Sequence, residues 1–167
     1  MGLLDFVKAA GEKLFHTGAA KAATEAAAAA PADPEKVKAA NDAAADAIMA
    51  YIATQNLTAT GLTVTFDSAT STASVFGVAA DQATKEKIAL CCGNVAGVAA
   101  VNNMMSVDLS APEATYYTVV SGDNLSKISK AQYGDPNKYM KIFEANKPML
   151  THPDKIYPGQ VLRIPPL

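Results

Sequence analysis

The hydrophobic pattern of this 167-residue chain breaks off and starts again across Ser110-Ala111-Pro112-Glu113-Ala114-Thr115. A short, polar, proline-containing stretch of this kind separates domains. Each side must then bury a core of its own from few residues, which restricts both to small folds. Half of all residues are apolar, enough to fill such cores, so the chain is globular and not disordered.

Charge divides along the same line. Residues 1–115 carry 7 basic and 12 acidic side chains, whereas 116–167 carry 7 and 4, so the front half favours cations and the back half disfavours them. Neither half clusters Lys and Arg among aromatics, which argues against a nucleic-acid surface. Asp5, Lys8, Glu12 and Lys13 interrupt the early apolar residues, so a secretory leader is not expected. No apolar stretch is long enough to span a bilayer, and Phe6 stands where a myristoylation signal needs Ser or Thr. The only cysteines, Cys91 and Cys92, are adjacent and cannot staple distant segments; a reducing cytoplasm fits them best.

Leu3, Phe6, Val7 and Ala10 recur at helical spacing and Gly11 follows them, which predicts a short amphipathic helix within an N-terminal segment 1–18. Residues 19–32 are nearly all alanine with no large apolar group and suit a spacer. Asp33-Pro34-Glu35 starts a helix whose face is Val37, Ala44, Ile48, Tyr51 and Ile52. Leu62, Val64 and Phe66, then Ala73, Val75 and Gly77, alternate as a hairpin around a turn at 67–70. Asp81 caps a second helix that closes at Gly93, and Val101, Asn103, Met105, Val107 and Leu109 alternate as one last strand. Residues 33–109 thus read helix, strand, strand, helix, strand. Beyond the 110–115 linker, residues 116–167 read as a βααβ unit. It has a strand at Tyr117 and Val119, a helix capped by Asp123, a second helix from Asp135-Pro136, and a closing strand from Val161 to Ile164. The fold class is α+β.

The run Tyr117-Thr118-Val119-Val120-Ser121-Gly122-Asp123-Asn124-Leu125-Ser126-Lys127-Ile128-Ser129 resembles the opening of a LysM domain. Ile156-Tyr157-Pro158-Gly159-Gln160-Val161-Leu162-Arg163-Ile164-Pro165 resembles its close, at the correct separation. The preceding element order, with Gly93-Asn94-Val95-Ala96-Gly97-Val98 after its second helix, resembles a BON domain. Together with the opening Met1 to Leu14, the arrangement is similar to the bacterial BON–LysM potassium-binding proteins. That resemblance implies a non-enzymatic, monomeric, cytoplasmic sensor or buffer that binds K⁺ selectively over Na⁺ and becomes more compact in doing so, with an intramolecular BON–LysM contact. It also implies that main-chain carbonyls hold the ion. The matching positions are Val7, Ala10 and Glu12 in the first segment, and Gly93, Val95 and Val98 in the second. Val95 and Val98 stand for larger aliphatics, which leaves a carbonyl ligand unchanged in kind.

Physical chemistry accommodates such a site. Potassium is held by several neutral carbonyl dipoles that replace its water, and the unpaired carbonyls at helix C-termini gather partial negative charge. Gly11 and Gly93 each mark an expected helix end, and Gly97 lets the 94–98 loop curl around a ligand. No segment has the dense acidic spacing that calcium or magnesium uses. Catalysis finds no support, because His16 and His152 stand apart without a surrounding motif. Cys91-Cys92 read as buried helix thiols, and of Met104 and Met105 one faces the core and the other outward.

The LysM resemblance implies an alternative function. A cell-envelope protein would bind N-acetylglucosamine-containing glycans, such as peptidoglycan, in a groove at Gly122, Asp123, Asn124 and Leu125 on one side and Lys147, Pro148, Met149 and Ile156 on the other. Without export no such glycan is available, and a structural module that clasps the first domain is the more economical reading.

Overall fold

Asp33 and Pro34 begin the helix α1 (Pro34–Thr54) in the computed structural model of the chain, which describes residues 3–5, 26 and 33–167. Asp33 is extended, and its carboxylate accepts the Glu35 N–H at 3.1 Å, satisfying a donor that has no partner inside the helix. Proline is tolerated next to it because it has no N–H to lose. Ala44, Ala45, Ile48, Tyr51 and Ile52 form the buried face; Ala45 joins the expected stripe, and Val37, in the first turn, is only partly buried.

The hairpin is β2 (Thr60–Asp67) and β3 (Thr72–Asp81), antiparallel. Val64, Phe66, Ala73, Val75 and Ala79 point into the core. Its turn is tied by Asp67, whose carboxylate accepts the Ala69 N–H at 3.0 Å and the Thr70 hydroxyl at 2.9 Å. Asp81 caps α2 (Gln82–Gly93) by accepting the Thr84 N–H at 2.7 Å. That backbone bond is the main reason its carboxyl lies below the ordinary carboxylate range.

The single last strand expected from the alternation is in fact two, β4 (Ala100–Asn103) and β5 (Ser106–Leu109), both parallel to β3. The break has a local cause. Asn103 turns its side-chain oxygen onto the Met105 N–H at 3.2 Å, and the facing part of β3 contains Gly77 at φ 138°. There the β2 pairing also shifts register, between Thr60 and Thr63. A Cβ on Gly77 would lie 3.0 Å from the Thr60 carbonyl oxygen and 3.2 Å from the Leu62 backbone. Gly77→Ala is therefore expected to destabilise this unit by about 2 kcal/mol, measured as a lower urea midpoint. An unchanged midpoint would contradict this account of the bulge. Met105 is buried and Met104 is exposed, as the alternation requires.

Leu3–Asp5 is a strand, β1, and not the start of a helix. It pairs antiparallel with β4 in the register Leu3↔Asn102, Leu4↔Val101 and Asp5↔Ala100, giving the order β1-β4-β3-β2 with β5 alongside β3. A few apolar residues at helical spacing do not offset the cost of starting a helix, whereas the edge of β4 offers a ready set of main-chain partners. The rest of the expected helix, with Gly11, lies outside the described residues, as does the 19–32 spacer apart from Ala26.

The described residues fall into two compact units that divide between Ser110 and Ala111. The second contains β6 (Thr115–Thr118), α3 (Leu125–Tyr133), a 3₁₀ turn at Pro136–Lys138, α4 (Tyr139–Ala145) and β7 (Val161–Ile164). β6 pairs antiparallel with β7, so the βααβ order holds, although Val119 falls just beyond the strand. The cap of α3 is Asn124, which accepts the Lys127 N–H at 2.8 Å, not Asp123. The Asp123 carboxylate is already engaged, accepting the Tyr117 hydroxyl and the Val120 N–H, both at 2.9 Å. Asp135-Pro136 likewise opens the 3₁₀ turn, and the α-helix begins only at Tyr139. Val119, Leu125, Ile128, Ile142, Phe143, Leu150, Leu162 and Ile164 make one core.

Candidate functional site

The loop from Gly93 to Val98 is built from the end of α2 outward. Gly93 is the last helical residue and Asn94 the cap, so Gly93 does not itself reverse the chain; Gly97, at φ 93°, does so four residues later. The Asn94 N–H donates back to the Leu90 carbonyl at 3.0 Å, and the Val95 N–H to that of Cys92 at 3.2 Å. Because a trans peptide carries its N–H and C=O on opposite sides, the Gly93 carbonyl projects beyond the helix end. No basic side chain occupies the last turn of α2, so the partial negative charge there is not offset locally by a cation.

Val95 and Val98 are 0 % exposed. Their side chains anchor the loop in the core. The Val95 carbonyl accepts the Val98 N–H at 3.2 Å, which leaves a second lone pair. At the far end the Ala99 and Ala100 N–H groups both reach the Ser71 carbonyl, at 2.7 and 3.4 Å. Three of the six positions implied by the resemblance, Gly93, Val95 and Val98, thus share one short loop. Val7, Ala10 and Glu12 lie outside the described residues. However, β1 ends at Asp5 opposite Ala100, two residues past Val98. Among the described residues, no group of three or more His, Cys, Asp or Glu side chains could hold a metal.

The sequence does not reveal Ser71, because its part is played by a carbonyl and every residue type has one. Its φ of 53° carries no compositional signal, since Gly or Asn is the usual occupant of that region.

In the second unit, Asn124 and Leu125 join Ser126, Tyr139, His152, Pro153 and Asp154 around an open cavity of 470 Å³. Lys147, Pro148, Met149 and Ile156 are not among its lining residues. Leu125 and Met149 are 2 % and 5 % exposed, so they support the fold more than they present a surface. Gly122 takes a φ of 88°, and Asp123 closes the loop before α3 through the bonds already given. Lys147 lies 4.6 Å above the Phe143 ring and 2.7 Å from the Glu144 carboxylate. Sequence reasoning missed Tyr139 and the His152–Asp154 segment as cavity walls.

Cys91 and Cys92 are buried and form no disulfide, and burial pushes the Cys92 thiol up to about 12 and that of Cys91 well above its ordinary value, so neither supplies a thiolate. His152 is exposed, 3.7 Å from Asp154, and His16 lies outside the described residues. No helix among them is long and apolar enough to cross a membrane.

Known proteins resemble the chain over its length and over its second unit. The LysM domain model matches residues 117–165. The potassium binding protein Kbp of Escherichia coli O6:H1 is 43% identical over 171 residues, covering 99% of this chain and 99% of its own length. An uncharacterized protein of Deinococcus radiodurans is 53% identical over 51 residues, 30% of this chain and 19% of its own.

Proposed function

Because the chain belongs to the family of the potassium binding protein Kbp, we propose that it too binds potassium selectively, as a monomeric cytoplasmic sensor or buffer and not as an enzyme. The ligands are main-chain carbonyls of Val7, Ala10 and Glu12 and of Gly93, Val95 and Val98. One observation carries this reading more than any other. The antiparallel register Asp5↔Ala100 sets a residue two before the first ligand segment beside a residue two after the second. Segments far apart in sequence are thereby tethered at neighbouring points, which lowers the entropy lost in bringing their carbonyls to one ion. The fully buried Val95 and Val98 side chains hold the loop's main chain in a defined shape, as a cage that must reject the smaller sodium ion requires.

Ordering two segments around an ion also explains why the protein would contract when it binds. Calorimetric titration of the ion-free protein with KCl and NaCl at matched ionic strength tests the reading. Saturable heat with KCl and little with NaCl is expected, whereas equal responses to both salts would reduce the effect to screening.

The cavity beside α3 and the LysM match favour a second reading, glycan binding by residues 117–165. Retention on purified cell wall, insensitive to potassium, would favour it over the ion sensor.

A further inference from the structure

We propose that the β2–β3 turn is the clamp that orients the ion loop, with Ser71 as its positioning residue; this deepens the potassium reading and rests on it. The Val98 carbonyl and the Ala99 N–H belong to one planar peptide unit and point in opposite directions. Since that N–H donates to the Ser71 carbonyl at 2.7 Å, Ser71 determines which way a proposed ligand oxygen faces. The Ala100 N–H, at 3.4 Å from the same oxygen, makes the grip two-pronged.

Ser71 holds this place at a conformational cost. Its φ is 53°, in the left-handed region that a non-glycine residue enters only against steric resistance. Neighbouring groups brace the turn on two sides. Asp67 accepts the Ala69 N–H and the Thr70 hydroxyl, and Asn41 of α1 accepts the Ser68 N–H at 3.3 Å. Through these contacts a helix, a turn and the loop are connected in series. A carbonyl held by such a series cannot swing inward to close on a smaller ion, so the clamp bears on selectivity as well as affinity.

The test uses the full-length, ion-free chain titrated with KCl and NaCl. Ser71→Val, whose branched side chain resists a positive φ, should weaken potassium binding about tenfold and lower the preference over sodium. Ser71→Gly and Ser71→Asn, which tolerate that φ, should stay within about twofold of the parent. A purely structural role would not move the ratio of the two affinities. Should Ser71→Val fail to fold, Asp67→Ala decides the matter from the exposed side of the turn, by faster amide exchange at Ala99 together with weaker potassium binding. A folded Ser71→Val protein with parental affinity and selectivity overturns the clamp while leaving the ion site standing. Parental protein that ignores potassium removes the functional reading and the clamp with it.

Discussion

Removal of residues 1–12 is expected to weaken potassium binding by more than about tenfold, because a cage of carbonyl dipoles loses half its members and open water takes their place. Two separate losses combine. Val7, Ala10 and Glu12 go as proposed ligands, and β1 goes as the strand that pairs with β4 at Ala100. Loss of β1 also leaves the edge of β4 without its main-chain partners. The check is the same pair of salt titrations on the shortened chain, with amide spectra confirming that residues 33–109 remain folded. Binding within twofold of the full-length chain would mean that the first segment supplies no ligands. By contrast, Val95→Ala or Val98→Ala keeps its carbonyl. With both side chains fully buried, these changes act first on stability, by about 2 kcal/mol, and only through it on the ion.

Asn146→Ala should lower the stability of the second unit by about 4 kcal/mol. Asn146 is 1 % exposed. Its amide donates to the Ile142 carbonyl at 2.7 Å and to the Arg163 carbonyl at 2.8 Å, and its oxygen accepts the Arg163 N–H at 2.8 Å. One side chain thereby substitutes for a strand partner at Arg163 of β7 and joins it to the end of α4. Alanine would leave buried main-chain groups without partners, each a substantial loss where water cannot reach. Chemical denaturation followed through amide signals of residues 115–164 measures the effect. A loss below about 1 kcal/mol would show that the bracket is dispensable.

How much of this could be read from the residues depended on range. Local rules placed α1 through Asp33 and Pro34, and α2 through Asp81. They also placed the turn before β7, where Gly159 has the required positive φ of 87°. Competition between neighbouring groups was harder to read. Asp123 and Asn124 are equally good caps in isolation, and only the engagement of Asp123 with Tyr117 and Val120 decides between them. Long-range pairing was the hardest. Leu3–Asp5 is a strand because of β4, nearly a hundred residues away, and β4 ends at Asn103 because β3 is irregular at Gly77. The candidate site belongs to this last class. Its groups are carbonyls, so resemblance could name Gly93, Val95 and Val98, whereas Ser71 emerged only from the hydrogen bonds of its backbone.

Carbonyl-carbon chemical shifts, recorded as KCl and then NaCl is added to ion-free protein, probe the proposed ligands most directly. The carbonyl-cage account predicts potassium-specific movement at Gly93, Val95 and Val98 and at Val7, Ala10 and Glu12, saturating along one curve. Shifts confined to carboxylate-bearing residues, or identical for the two salts, would contradict it.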